Sequence, residues 1–450
     1  MQESNKIKEY CSLVCDQIRW KKVRPVVESE IEGHIEDQRD AYILDGESEE
    51  VATEKAILQM GNPVLIGQDF DRTHKPRPQW NMIIMVIGLM LIGIMTNYFM
   101  FLSGDSYLGF SIGPYIVAMA IFIVCYYIDF TFLGRFAYLI CIVSVLFGVL
   151  GGLFGLQILG KLTFGIGRFW FPLAYLGLIY PLVFGLFVYK VRNRGYMGIG
   201  LSGGLFIVML AILLKVPTLT GALIFTIAAV TIPITLVVKN IIKVNTKKTI
   251  SIIIISVLGI WSLIISYLIK VTGMIREFNG LHYLDKKASS IISQVNFIGK
   301  GNIPSDMEAT SIFPGGTTDY TLLYIAHEFG LFAMISVIVM FSVFCVFAVY
   351  KINKQKNILG KIVALSVVIP FILHAAVYIL TNLGYSIENN IAMPFIAYGK
   401  LALFINSGLV GFMLSVFRTG YIYGVDSVDT NRKKQLISLS NNKITINLKR

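Results

Sequence analysis

The stretch "IFPGGTTDYTLLYIAHEFG", residues 312–330, places a single carboxylate, Asp319, between a Pro-Gly-Gly turn and a long apolar run. An acid at the end of such a run is costly unless it is solvated, paired or used. One reading is local: Thr317, Thr318 or Asp319 caps the helix that follows by accepting from its freed backbone N–H groups. The other is functional and depends on where the run sits in the chain.

The run is one of many. The chain has 450 residues, of which 55% are hydrophobic and only 15% charged, and its mean hydropathy is +0.69. Apolar blocks of about 20 residues are long enough to cross the ~30 Å hydrocarbon core as helices. Ten such spans are predicted, at 82–102, 110–130, 134–157, 169–190, 197–214, 221–239, 249–270, 320–350, 360–382 and 393–417. The eighth is long enough to project beyond the bilayer or to tilt strongly. The fold class is therefore all-α: a polytopic membrane protein of about ten transmembrane helices, preceded by a small soluble helical domain.

Charge assigns the sides. Residues 1–78 carry 16 acids against 11 bases, a net of −5, and the remainder carries 11 against 28, a net of +17. Arg135, Lys190/Arg192/Arg194, Lys239/Lys243/Lys247/Lys248, Lys351/Lys354/Lys356/Lys361 and Arg432/Lys433/Lys434 fall in alternate loops. Such a pattern marks cytoplasmic loops and argues against a nucleic-acid partner. Both termini are then cytoplasmic, and the outer loops are 103–109, 158–168, 215–220, 271–319 and 383–392. Asp319 closes the largest of these. No GxxxxGK[ST] loop is present, which argues against an ATP-driven pump.

Residues 1–70 read as a cytoplasmic helical module. Val27, Ile31 and Ile35 repeat at i, i+4 with acids on the opposite face. A second helix starts at Ser48 and stops at Gly61-Asn62-Pro63. Residues 71–81, including "HKPRPQW", form a basic linker with Trp80 at the membrane interface, and 421–450 form a cytoplasmic tail. The first long apolar run begins near Met82, so no signal peptide is expected. Cys11 and Cys15 lie at helical spacing, as do Glu30 and His34. No second pair of ligands accompanies either, so ordinary thiols and a solvated histidine are expected.

The motif residues carry a resemblance. "TTDYTLLYIAHEFG" resembles the T-D-F-I-F-A-x-x-x-E-E-x-G signature of the SEDS family, the shape, elongation, division and sporulation proteins of the FtsW/RodA/SpoVE type. "NLGYSIENNIAMPFIAYGKLAL" is similar to the family's N-x-G…P-F-I-S-Y-G-G-S-S hallmark, and "FIGKG" at 297–301 to its Gly-rich lead into the large loop. The resemblance covers residues 82–420 and is specific in the last third. It implies a bacterial cell-membrane enzyme of cell-wall synthesis in division, elongation or sporulation. Such a glycosyltransferase polymerises lipid II, surrounded by membrane lipids, together with a class B penicillin-binding protein. It places the essential acid on Asp319, as general base for the attacking C4 hydroxyl. Basic residues or a divalent cation would stabilise the leaving pyrophosphate, and no other cofactor is implied. Arg168, Arg276 and Lys300 are the first candidates, with Glu328 and Lys400 as further substrate-binding residues. Lys161, Lys215, Lys286 and Lys287 supply further outward charge.

The sequence also departs from the family. His327-Glu328 replaces the E-E pair. "GIGRFWF" keeps Arg168 but lacks a neighbouring base and shifts Trp170 by one. "VPTLTGA" has lost the acid expected near Thr218, and Lys400 stands where the family has Gly. Lys400 pairs with Glu388 or Glu328, binds phosphate, or snorkels to the interface. Two other functions remain open: a flippase or transporter, and a non-catalytic scaffold recruiting a penicillin-binding protein. A transporter should scatter charge through several spans, whereas the acids here lie at span ends or in loops, with Asp129 near an inner end. The topology is testable with reporters: fusions before Met1 and after Arg450 should read as cytoplasmic and one near Lys287 as external.

Overall fold

The computed structural model describes residues 2–21, 23–102, 110–158, 161–167, 169–216, 218–272, 285–302, 319–385, 392–420, 437–440 and 443–446. Arg168, Arg276, Thr317, Thr318 and Glu388 lie outside the described residues. Two compact units are present, Met1–Pro78 and Gln79–Arg450.

The first unit holds four helices: α1 (Gln2–Asp16), α2 (Arg24–Leu44), α3 (Glu49–Met60) and α4 (Pro63–His74). Val27, Ile31 and Ile35 are at most 1% exposed, so the i, i+4 stripe is the face α2 buries. Ser48 stands at the N-cap of α3, but its hydroxyl makes no capping bond. Glu49 and Glu50 supply negative charge to that helix start instead. Gly61, at φ 86°, ends α3. Asn62 then starts α4, its side chain accepting the Val64 amide at 2.9 Å with Pro63 in the first turn. The Gly-Asn-Pro stop is therefore also a start, and the linker expected over 71–81 is shorter: α4 runs to His74 and a new helix begins at Trp80. Cys11 and Cys15 are free and buried, and the Cys15 thiol donates to the Arg24 carbonyl at 3.6 Å. Burial, then the nearby Glu32, Cys15 and Glu28, push the Cys11 thiol up to about 11.

The second unit begins with α5 (Trp80–Leu102), α6 (Gly113–Tyr127), the short α7 (Thr131–Arg135) and α8 (Ala137–Phe154). Strands β1 (Leu156–Ile158), β2 (Lys161–Ile166) and β3 (Phe169–Pro172) follow. Then come α9 (Leu176–Val191), α10 (Gly195–Lys215), α11 (Leu219–Val238), α12 (Thr246–Thr272), α13 (285–293), α14 (Thr321–Phe329), α15 (Leu331–Lys354), α16 (Ile358–Asn382) and α17 (Lys400–Thr419). A small hairpin pairs β4 (Ile437–Ser440) with β5 (Lys443–Ile446). Eight helical stretches are long and apolar enough to cross a membrane. One of them, Leu173–Lys215, holds both α9 and α10, divided at Arg192–Gly195. With α6, which is shorter, ten passes stand among the described residues, and the chain is a multi-pass membrane protein.

Two expectations change. The loop expected at 158–168 is instead the middle of a three-stranded antiparallel meander, with Leu156 opposite Thr163 and Thr163 opposite Pro172. Phe147 of α8 anchors it through edge-to-face contacts with Phe164 and Phe171 at 5.5 and 5.3 Å. The eighth span does not run on: it breaks at Gly330, φ 96°, where a side chain would sit 2.6 Å from the Phe297 carbonyl.

The basic clusters within the described loops gather at one end of the bundle, and Arg432, Lys433 and Lys434 lie outside the described residues. Gly134 packs on Leu359, Lys361 touches Lys239, and Gly195 lies against Lys243 and Val244. Asp129, at the same end, is 8% exposed and accepts the Thr131 amide at 3.0 Å. It caps α7 there and is not solvated as its position in sequence suggests. Residues 1–78 expressed alone should give a helical circular dichroism spectrum. At pH 8 Cys11 should be alkylated about a hundredfold more slowly than in urea, because a thiol raised to about 11 holds little thiolate there.

Candidate functional site

Asp319 lies just ahead of α14, a nine-residue helix that is buried from Thr321 to His327. The N-cap position belongs to Tyr320, which makes no side-chain capping bond. The first amides are satisfied from α16 instead. The Thr321 N–H donates to the Tyr378 hydroxyl at 3.1 Å, and the Leu323 N–H donates to Asn382 Oδ1 at 2.9 Å. Asn382 also donates from Nδ2 to the Asp319 carbonyl at 3.1 Å and to its own helix at Tyr378, 2.9 Å. One carboxamide thus fixes the backbone on both sides of the α14 start. Capping of these amides is done by Tyr378 and Asn382, which weakens the local reading of Asp319.

The far end of α14 is held by a strap, residues 294–302. Gly301 N–H donates to the His327 carbonyl at 2.7 Å and Gly299 N–H to the Phe329 carbonyl at 3.2 Å. Beyond the break, the Leu331 and Phe332 amides donate to the Asn296 and Phe297 carbonyls, each at 3.0 Å. The strap carries Lys300, whose ammonium pairs with Glu328 Oε1 at 2.9 Å. His327 Nδ1 meets the same oxygen at 3.1 Å. His327 is 1% exposed, so the replacement of the family's first glutamate brings a buried imidazole onto the second.

The third contribution is non-helical. Residues 392–399, "AMPFIAYG", are buried from Ala392 to Tyr398, and Phe395 holds φ 66°. A positive φ on a bulky residue is a strained conformation that surrounding packing must impose. Gly93 of α5 provides the room: a side chain there would lie 2.5 Å from the Phe395 carbonyl. The segment delivers Gly399 to the N-cap of α17, with no side-chain cap, and leaves Lys400 exposed at the first residue. Lys400 makes no ion pair among the described residues. A Cβ at Gly399 would stand 3.7 Å from the Tyr175 hydroxyl. Tyr175, Tyr320 and Tyr378 lie close to Asp319.

Asp319, Lys300, Glu328 and Lys400 are thus gathered around α14 and the start of α17, at the end of the bundle opposite the basic clusters. Arg168 and Arg276 lie outside the described residues. Sequence reasoning missed Asn382, Tyr378 and Tyr175 as parts of the site. Asn382 opens the quoted N-x-G motif, yet nothing in that spacing says what its side chain holds. Gly384, its partner in the motif, has φ 88° and a Cβ there would approach Asp285 O at 3.0 Å, so it seats α13.

No protein-family model and no curated protein matches the sequence. Solved structures do match in shape. A chain of a peptidoglycan synthase complex, solved in work on the coordination of polymerization and crosslinking, superposes with a TM-score of 0.60 at 16% identity, covering 76% of this chain and 98% of that one. The rod shape determining protein RodA of Thermus thermophilus gives 0.55 at 14% identity, with the same two coverages. An aspartate-to-alanine mutant of it gives 0.54 at 14% identity, again over 76% and 98%. The chain has the RodA fold, the SEDS-type fold that its motifs imply, with about a quarter of its length beyond the matched part.

Asn382→Ala removes the acceptor of a buried amide and the donor to the Asp319 carbonyl. It should lower stability by about 1–3 kcal/mol, the cost of leaving buried groups unmet. Asn382→Asp keeps the acceptor for Leu323 but sets a buried carboxylate against the Asp319 and Tyr378 carbonyls, and should lose at least as much, as read by thermal unfolding in detergent.

Proposed function

We propose that the chain is a glycosyltransferase that polymerises lipid II into glycan strands, with Asp319 as general base. The observation that carries this reading is the junction at Asn382. Through it the stretch with the lone acid and the stretch with the N-x-G motif, 63 residues apart, meet at one point. The fold shared with RodA and with a chain of a peptidoglycan synthase complex supports the same reading. A class B penicillin-binding protein is the partner this reading expects.

The reaction joins the C4 hydroxyl of an acceptor sugar to the anomeric carbon of a donor, and the lipid pyrophosphate leaves. Asp319 takes the hydroxyl proton as the C–O bond forms. Its carboxylate stands at the positive end of α14, where negative charge is favoured. The departing pyrophosphate carries its bonding pair away as added negative charge and needs cations. Lys400 adds its ammonium to the uncapped start of α17, a combination suited to phosphate oxygens. Lys300 stands at the rim, held by Glu328 until substrate arrives. Arg168 and Arg276 complete the basic set in this proposal. Among the described residues no three His, Cys, Asp or Glu side chains gather as metal ligands, so no step is assigned to a divalent cation. The donor is already activated, which removes any need for ATP.

Asp319→Asn keeps the size of the side chain and removes the base. Purified protein with lipid II and its penicillin-binding partner should then polymerise at least ~10²-fold more slowly at unchanged stability. Wild-type rates in a folded Asp319→Asn protein would favour the scaffold role and remove the catalytic one.

A further inference from the structure

The end of the bundle away from Asp319 holds a cavity of about 340 Å³ between α9, α10, α11 and α12. That size lies in the range of small-ligand sites, roughly 300–1,000 Å³. One wall is α10, which carries Gly198, Gly200, Gly203 and Gly204. Glycines in membrane helices usually let another backbone come close. Gly198 does so, since a Cβ there would lie 2.3 Å from the Val191 carbonyl. The other three do not: a Cβ on any of them would meet nothing within 4 Å. Their missing side chains leave room that no part of the described chain fills. Phe184, Ala229, Pro233 and Ile260 line the apolar sides. α12 closes the cavity loosely, being only 6% buried over its span.

The depth and charge of the cavity identify its occupant. It runs along α10 from Gly195 to Ile207, about 18 Å at 1.5 Å per residue. That is close to one leaflet of a ~30 Å hydrocarbon core. A volume of about 340 Å³ over that length is well below what a helix about 10 Å across would need. At its polar end Arg192 lines the cavity while only 5% exposed. Its guanidinium lies 4.1 Å from the Tyr189 ring centroid and donates to the Tyr189 carbonyl at 2.8 Å. Arg194 is two residues further on, and the Lys243 carbonyl is 4.0 Å from a Cβ placed on Gly195. The turns at this end contribute Arg135, Lys190, Arg192, Arg194, Lys239, Lys243, Lys247 and Lys248, and the sequence from Thr131 to Arg276 has no Asp or Glu. Such a basic end with no acid in its own segment attracts anionic headgroups.

We propose that this cavity binds one acyl chain of an anionic phospholipid from the leaflet at the basic end, with the phosphate held at the α9–α10 turn by Arg192, Arg194 and Lys243. The site is separate from that of Asp319 and does not rest on the glycosyltransferase reading. A bound chain fills the gap that the α10 glycines leave and ties the loosely packed α12 to the bundle.

The test uses the full chain, delipidated in neutral detergent, and follows thermal unfolding as lipid is added. Dioleoyl phosphatidylglycerol should raise the unfolding temperature, whereas dioleoyl phosphatidylcholine and inorganic phosphate should not. Gly203→Leu/Gly204→Leu places apolar side chains in the cavity, at positions where a Cβ meets nothing within 4 Å, and should abolish the rise. Arg194→Gln and Lys243→Gln leave the cavity open and should each weaken the lipid midpoint roughly five-fold. The same rise with phosphatidylcholine or with phosphate alone, or an undiminished rise in the filled protein, overturns the proposal. Native mass spectrometry of the unmutated protein gives a check that needs no variant to fold. One retained phosphatidylglycerol in preference to phosphatidylcholine is expected, and equal retention of the two overturns the site.

Discussion

A helix that begins inside an apolar slab has no water for its first amides, and protein groups must meet them. The start of α14 is governed by that constraint. Tyr378 and Asn382 reach across from α16 and satisfy Thr321 and Leu323, so α16 cannot move without unsealing α14. The same constraint acts where the eighth span breaks, and there the strap at 294–302 supplies carbonyls to Leu331 and Phe332. It acts a third time on residues 392–399, which are non-helical yet almost wholly buried in protein. Of these irregular segments at one end of the bundle, the start of α14 and residues 392–398 are buried in protein, while the strap lies largely exposed and holds by its backbone bonds.

That enclosure is what makes a fixed carboxylate feasible. Catalytic groups need to be held within a fraction of an ångström by rigid elements and supporting hydrogen bonds. Asp319 follows residues outside the described chain, but its own carbonyl is gripped by a side chain that is 1% exposed. The strained φ of Phe395 belongs to the same economy. Tight packing by Gly93 and Phe371 holds a segment whose role is to set where α17 begins.

The apolar spans and the buried stripe of α2 were legible because each is written in local pattern. Apolar runs, i, i+4 stripes and short motifs need no knowledge of distant residues. What the pattern concealed was of two kinds. Some signals were ambiguous: Gly61-Asn62-Pro63 ends one helix and starts another, and a lone Gly330 within an apolar run reads as a tolerated residue, not a break. The meander at 156–172 was hidden among spans although its glycines punctuate it. Other features were non-local. The bond from Asn382 to Asp319 joins residues 63 apart, and no periodicity encodes it. The cavity beside α10 belongs to this class as well, since four glycines in a membrane helix look alike until the space above each is known.

Lys300 shows how magnitude decides between structure and function for a single pair. Its side chain is 60% exposed, against 16% for Glu328. Exposed ion pairs contribute about 0–1 kcal/mol, so this one does little to hold the strap. The backbone bonds from Gly299 and Gly301 to α14 do that work, and they do not involve the ammonium. Lys300 can therefore leave Glu328 at small cost. Glu328 is not equally free, because His327 stays beside it when the lysine leaves. The strap fixes where the Lys300 backbone stands, and the exposed carboxylate contact holds its ammonium only weakly.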